Sequence, residues 1–302
     1  MAVQRRAESA AADGGLIRVR NGDITLAVET LGRPDAPPIL FLHGFPEHRG
    51  AWRKVAQHLA KDFHCLLPDL RGYGDSSRLA HVEAYHIDAL IGDVDALVSA
   101  CDGRTPILAG HDWGGALAWW YAAAHGDRLD RLVIANAPHP AIFQKRLIDD
   151  PAQRAASAYI GRLRAPGTAA ALMDGGPEGL WDRMFAANPA FDEAARAEYV
   201  AAWSRPNAMD SMLNWYRASP FVLPEADGMA VPAWAEDTAL RVDLPVLMLW
   251  GMADRVFLPR LLDGLDAVAP DHRIARFADI GHAIIHEIPA QLADAIKEFA
   301  KP

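Results

Sequence analysis

The chain has 302 residues, 51% of them hydrophobic and 23% charged, with a formal net charge of −9. That length and composition fit one large globular domain or two ordinary ones with an ample core. The acidic balance excludes the basic face that a nucleic-acid partner needs. No apolar stretch approaches the roughly 18 to 20 residues of a membrane span.

The first residues, Met1 to Gly15, are polar and Ala-rich. Arg5-Arg6 hints at a twin-arginine signal, but no apolar run follows, so the segment reads as a frayed tail and the location as cytoplasmic. Leu16 to Arg20 and Ile24 to Thr30 alternate around Asn21-Gly22, which predicts a hairpin closed by a type I′ turn. The run Pro38 to Leu42 is wholly apolar, as buried parallel strands are. It ends in His43-Gly44-Phe45-Pro46-Glu47, and a helix is expected over Arg49 to Ala60. Phe63 to Leu67 is the next strand, Pro68 to Asp75 a Gly-rich loop and Ile87 to Ala100 an amphipathic helix. The two cysteines, Cys65 and Cys101, fall in apolar segments and read as buried small hydrophobes.

Pro106 to Ala109 then enters Gly110-His111-Asp112-Trp113-Gly114-Gly115, and a helical run leaves it. Strand, sharp turn and helix, with small residues two before and two and three after Asp112, are what a nucleophile elbow needs. The apex residue stands exposed at the carboxyl end of its strand, near the positive end of the next helix. The usual apex residue is Ser; here it is Asp112. The alternative is that Asp112 only caps the helix.

Arg131 to Ala135 is another short strand, after which the strand–helix alternation stops. From about Pro140 to Gly228 the sequence is Ala-, Trp- and Arg-rich and helical in pattern. Alternation resumes with Pro245 to Trp250, a helix from about Pro259, a strand Arg273 to Phe277 and a closing helix Pro289 to Phe299. The expectation is a mostly parallel sheet flanked by helices, with core residues 1–139 and 229–302 and an inserted helical cap over 140–228. The insertion is placed over the carboxyl ends of the strands, where such folds bind ligands.

An Asp nucleophile needs partners. Asp254 follows the strand that ends at Trp250, and His282 follows the last strand. Nucleophile, acid, histidine is the chain order of α/β-hydrolase triads, and each member sits just past a strand. The oxyanion hole is assigned to the backbone N–H groups of Phe45 and Trp113. Gly44 permits the tight turn there, and a cis bond before Pro46 is one way to close it. His43 and His111 read as packing and hydrogen-bonding residues. His43, Glu47 and His48 lie in a Gly/Pro loop and lack the helical spacing of a zinc motif, and no phosphate loop is present. Neither a metal nor a cofactor is expected.

The sequence resembles the α/β-hydrolase superfamily from about Leu16 to Phe299, and within it the epoxide hydrolases. The resemblance rests on His43-Gly44-Phe45-Pro46-Glu47, Asp69-Leu70-Arg71-Gly72-Tyr73-Gly74, the hexapeptide around Asp112, and Asn136-Ala137-Pro138-His139-Pro140. Epoxide hydrolases carry two cap tyrosines that grip the epoxide oxygen. Leu213-Asn214-Trp215-Tyr216-Arg217-Ala218 is similar to the second motif, and Tyr159, anchored by Pro166-Gly167, takes the place of the first. The usual aromatics and Gln after that first tyrosine are missing, which implies a different pocket wall.

The resemblance implies that Asp112 attacks an epoxide carbon to form an ester, with Tyr159 and Tyr216 protonating the ring oxygen. His282, oriented by Asp254, then activates water to release a 1,2-diol. A small apolar or aryl epoxide and water are the expected partners, with the protein a monomer or homodimer. A haloalkane dehalogenase, using the same Asp112 with Trp113 as halide donor, is the alternative. Phe45 stands where that family resembles Asn, and Trp113 and Ala116 stand where a fluoroacetate dehalogenase has arginines. A non-catalytic receptor on the same fold would have no need of His282 and Asp254. In the insertion, Trp181, Phe185, Phe191, Tyr199, Trp203 and Trp234 are candidates for pocket lining or core.

Overall fold

The computed structural model describes residues 14–224, 229–236 and 240–301. Residues 1–13 of the expected tail, with Arg5-Arg6, and Gly228 at the expected end of the insertion lie outside them. Eight strands form one sheet: β1 (Gly15–Asn21), β2 (Ile24–Leu31), β3 (Pro38–Leu42), β4 (His64–Pro68), β5 (Ile107–His111), β6 (Arg131–Ala135), β7 (Val246–Gly251) and β8 (His272–Phe277). Their order is β1-β2-β4-β3-β5-β6-β7-β8. β1 with β2 and β2 with β4 pair antiparallel, and every other neighbour is parallel. This is the mostly parallel sheet that the alternation of elements predicts.

Helices α1 (Arg53–Leu59), α2 (Ile87–Ser99) and α3 (Trp113–His125) alternate with the strands as far as β6. Among the described residues seven helices then follow one another before β7: α4 (Pro140–Asp149), α5 (Pro151–Ala156), α6 (Tyr159–Arg164), α7 (Thr168–Leu172), α8 (Gly176–Met184), α9 (Glu193–Trp203) and α10 (Ala208–Ala218). Three more close the chain: α11 (Leu265–Val268), α12 (Ile284–Glu287) and α13 (Pro289–Phe299).

The central strands are apolar throughout because both their faces are covered. Side chains alternate across a strand, so β3 serves two cores. Ile39 and Phe41 join Val55 of α1 and Ile296 of α13 on one face. Leu40 and Leu42 join Val94 of α2 and Leu117 of α3 on the other. Cys65 and Cys101 are buried free thiols, as expected, and burial pushes each up to about 12.

Two local expectations need correction. β1 and β2 close on the pair Asn21–Ile24, which leaves Gly22 and Asp23 in the loop. Gly22 has φ 57°, while Asn21 and Asp23 are not among the positive-φ residues. Gly at the first central position, with one positive φ, is the pattern of a II′ turn, not the I′ turn that Asn-Gly suggests. The helix expected from Pro259 is broken into a single turn, Pro259–Leu262, and the short α11. Gly264 lies between them at φ 93°, in the left-handed region that ends a right-handed helix.

The parallel strands β3, β5, β6, β7 and β8 all point their carboxyl ends to one edge of the sheet. The loops leaving that edge carry Phe45, Asp112, Asn136, Asp254 and His282.

Candidate active site

Asp112 joins β5 to α3 with φ 51° and ψ −123°. A β-carbon-bearing residue there is strained, and the close approach of the neighbouring backbone holds it. A Cβ on Gly110 would collide with the Gly114 carbonyl, one on Gly114 with the Leu42 carbonyl, and one on Gly115 with Ala137. The glycine pattern in the sequence is therefore a packing requirement. Asp112 makes no side-chain cap to α3, so the helix-cap alternative finds no support.

The Asp112 carboxylate is held from two sides. The Phe45 N–H donates to Oδ1 at 2.8 Å. His282 Nε2 stands 3.6 Å from Oδ2. The Trp113 N–H lies in the first turn of α3, where backbone donors have no intrahelical partner. The Phe45–Pro46 peptide is cis, and a Cβ on Gly44 would run into the Asp112 side chain. The His43–Pro46 turn thus brings a backbone donor against Asp112.

Behind His282, Asp254 Oδ2 lies 2.8 Å from Nδ1. Asp254 is buried and accepts further bonds at Oδ1 from the N–H groups of Val256, 2.6 Å, and Phe257, 3.0 Å. Asn136 donates to Asp254 Oδ2 at 2.6 Å and accepts from the Gly251 N–H at 2.7 Å. Burial opposes ionisation of Asp254, but His282 and these donors outweigh it and hold the carboxyl below its usual range. Burial likewise opposes a charge on His282, but Asp254 and Asp112 on either side raise it well above the ordinary histidine value.

Tyr159, the first residue of α6, and Tyr216 of α10 reach the same place from the insertion. They line one cavity with Asp112, Trp113, Ala116 and Phe143, among others. Its free space, including the opening to solvent, is about 370 Å³. The two phenol rings stand edge to face, 6.3 Å between centroids. Tyr216 is also boxed by Phe45 and Trp113, each at 5.1 Å. Burial, with Asp112 nearby, holds both phenols well above their ordinary value. Both hydroxyls therefore keep their protons at neutral pH.

Trp181, Phe185, Phe191, Tyr199, Trp203 and Trp234 are not among the side chains that line this cavity. Phe143, Phe221 and Phe257 supply the aromatic wall instead. Phe185, Phe191, Tyr199 and Trp203 pack on one another. Tyr199 donates to Glu47 Oε2 at 2.6 Å and Trp203 to the Pro46 carbonyl at 2.7 Å. That cluster pins the insertion to the loop that carries Phe45. Trp181 packs in the same cluster, and Trp234 lies tilted against Trp120, 5.3 Å between centroids.

Glu47 and Asn136 carry structural weight that their motifs alone do not reveal. Glu47 Oε2 also meets His286 Nε2 at 2.6 Å, and its Oε1 lies 3.5 Å from His111 Nδ1. His111 Nε2 donates to the His282 carbonyl at 2.8 Å. His43 uses both ring nitrogens, donating to Gly44 O and accepting from Leu70 N. Both histidines serve as packing and hydrogen-bonding residues, as expected.

Comparison with known proteins agrees with this geometry. A family model described as the alpha/beta hydrolase fold matches residues 37–289. The AB hydrolase superfamily protein YfhM of Bacillus subtilis is 31% identical over 94% of this chain and 96% of its own. A solved structure described under novel epoxide hydrolases from metagenomes of hot environments superposes with a TM-score of 0.86, at 38% identity, over 95% of this chain and 98% of that one. A variant of an epoxide hydrolase from Bacillus megaterium, complexed with its naphthyloxy-propanediol product, superposes with a TM-score of 0.83 at 27% identity, over 94% and 99%. The chain belongs to the α/β-hydrolase superfamily, in its epoxide hydrolase family.

Proposed function

We propose that the protein hydrolyses an apolar or aryl epoxide to a 1,2-diol through an ester on Asp112, with the insertion acting as a cap that supplies the acid. One observation carries the reading. The Asp112 carboxylate, fixed by the Phe45 N–H and facing His282, shares an apolar cavity with two phenols.

Oδ1 is occupied by the Phe45 N–H, which leaves Oδ2 to attack the ring carbon. As the C–Oδ2 bond forms, the ring C–O bond breaks, and the oxygen takes a proton from Tyr159 or Tyr216. Esterification removes the negative charge of Asp112. His282 then loses one of the two carboxylates that favour its protonated form, so more of it stands neutral and able to accept a proton. It takes a proton from water, and the hydroxide attacks Cγ of Asp112. The resulting oxyanion is held by the N–H groups of Phe45 and Trp113. On collapse the diol oxygen leaves with the proton from His282, and the proton that entered with the hydroxide passes from Asp112 back to the tyrosinate, restoring both the carboxylate and the phenol. No step calls on a cofactor or metal.

The dehalogenase alternative needs the Trp113 indole free for halide. Here that indole packs edge to face on Tyr216, 5.1 Å between centroids. The test is purified protein assayed against a panel of epoxides and haloalkanes. Diol from epoxides with little halide release is expected; halide release without diol would overturn the reading.

A further inference from the structure

Tyr159 opens the six-residue helix α6, and Arg164 ends it. Arg164 is partly buried, and among the described residues no carboxylate pairs with it. Burial lowers the pKa of its guanidinium. A cation drawn away from water without a counter-charge needs another source of negative potential.

The end of α10 supplies it. Arg164 Nε donates to the Tyr216 carbonyl at 2.9 Å. Its Nη2 donates to the Ser219 hydroxyl at 2.7 Å and to the Phe221 carbonyl at 2.8 Å. α10 ends at Ala218, so the Tyr216 carbonyl lies in the last turn, where carbonyls have no intrahelical partner. The negative end of the helix dipole adds to the attraction. The planar fork of the guanidinium thus grips the backbone of Tyr216 itself and of the segment just after it.

The effect falls on the two phenols. They come from separate helices, with ring centroids 6.3 Å apart, and both have to reach one ring oxygen. Trp215 and Asn214 tie α10 to the core, by donating to the Arg71 carbonyl at 2.9 Å and the Ala80 carbonyl at 3.3 Å. Arg164 ties it to α6. A misplacement of about 1 Å between reacting groups can cost about a hundredfold in rate.

We propose that Arg164 is a positioning residue for epoxide opening, fixing the Tyr216 backbone to the helix that begins at Tyr159 so that both hydroxyls meet the same oxygen. The assignment rests on the epoxide reading above and deepens it. The hydrogen bonds of Arg164 reach none of Asp112, His282, Asp254, Phe45 and Trp113. Its loss therefore slows ester formation and spares ester hydrolysis.

The test is Arg164→Met in single-turnover kinetics, with enzyme in excess and substrate-derived mass followed on the peptide that holds Asp112. The substrate is whichever of styrene oxide, epoxyhexane and cyclohexene oxide the unaltered protein opens fastest. Ester formation slows by about ten- to a hundredfold, and the decay of the ester keeps its rate. In the Tyr216→Phe background the same change costs much less, because the hydroxyl it positions is gone. Thermal melting verifies folding. Arg164→Lys keeps the charge without the fork and carries the test if Arg164→Met does not fold, with ester formation slowed by about tenfold. Ester formation at full rate in a folded variant, equal slowing of both steps, or an undiminished loss in the Tyr216→Phe background overturns the role of Arg164 and leaves the epoxide reading standing. No ester on Asp112 of the unaltered protein from any of the three epoxides overturns the covalent reading, and the role of Arg164 with it.

Discussion

The Phe45 N–H donates a 2.8 Å hydrogen bond to Asp112 Oδ1 in the free protein. The donor that would hold the oxyanion thus already orients the nucleophile, and no rearrangement of the His43–Pro46 turn is needed between steps. Gly44 makes this approach possible, because a Cβ there would strike the Asp112 side chain. Gly44→Ala should therefore lower diol formation by about two to three powers of ten, the usual cost of losing one such donor. Circular dichroism should show an unchanged fold; near-normal activity in the folded variant would remove Phe45 from the mechanism.

His282 is assigned to ester hydrolysis alone. His282→Gln should open the epoxide once and then stall, with substrate-derived mass retained on the peptide that holds Asp112. Loss of that single burst together with turnover, in a folded variant, would contradict the division of labour. The sign of the pH effect follows from the raised His282 value. In the ester the Asp112 charge is gone and only Asp254 still raises His282, so the value that governs this step lies below that of the free protein; a base must be neutral, so hydrolysis should accelerate as pH rises through it and fall away on the acid side. Stopped-flow measurement of ester decay across pH reads this directly.

Tyr159 and Tyr216 are the proposed acids. An alkoxide is the conjugate base of an acid about as weak as water, near 15.7, so it leaves poorly without a proton. A halide needs none. Tyr216→Phe should slow ester formation on epoxides by one to a few powers of ten, on the basis of about 2.7 to 4 kcal/mol for one lost transition-state donor. The double variant with Tyr159→Phe should be slower still, while any activity on alkyl bromides is little changed. Halide release falling in step with epoxide opening would favour the dehalogenase alternative.

Glu47 joins the insertion to the core through Tyr199 and His286. Glu47→Ala would leave two buried polar groups without their acceptor and should cost about 3 to 5 kcal/mol of stability, as breaking a buried pair does. Burial opposes the Glu47 charge, but His286 and His111 hold its carboxyl well below the usual range. A depressed carboxyl stabilises the fold above its unfolded value, about 4.3, and that contribution is lost as pH falls through the folded value. The stability gap between the unaltered protein and Glu47→Gln should be steady near neutrality and shrink below about pH 4. Urea titrations at several pH values measure it; a gap that widens in acid would reverse the assignment.

Much of this site is legible in the sequence because a strand end marks each component. Asp112, Asp254 and His282 lie in loops that directly follow apolar runs, and parallel strands bring such loops to one edge. Other features depend on contacts that no local pattern encodes. Asn136 and Asp254 are 118 residues apart and Glu47 and His286 are 239 apart. Nor does composition tell a cavity wall from a core. Trp181, Tyr199 and Trp203 are as aromatic as Phe143, Phe221 and Phe257, yet only the latter three face the cavity. Tyr159 sits at the start of a short helix with no distinctive neighbours, so it is read from family resemblance and placed by the fold.

The central claim is that a covalent ester forms on Asp112. A single turnover in oxygen-18 water, with enzyme in excess over epoxide, tests it most directly. The ester oxygen carried into the diol comes from Asp112, so the first-turnover product should be unlabelled and the label should appear on Asp112. Oxygen-18 in that first diol, with none on Asp112, would mean that water attacks the epoxide directly and that no ester forms.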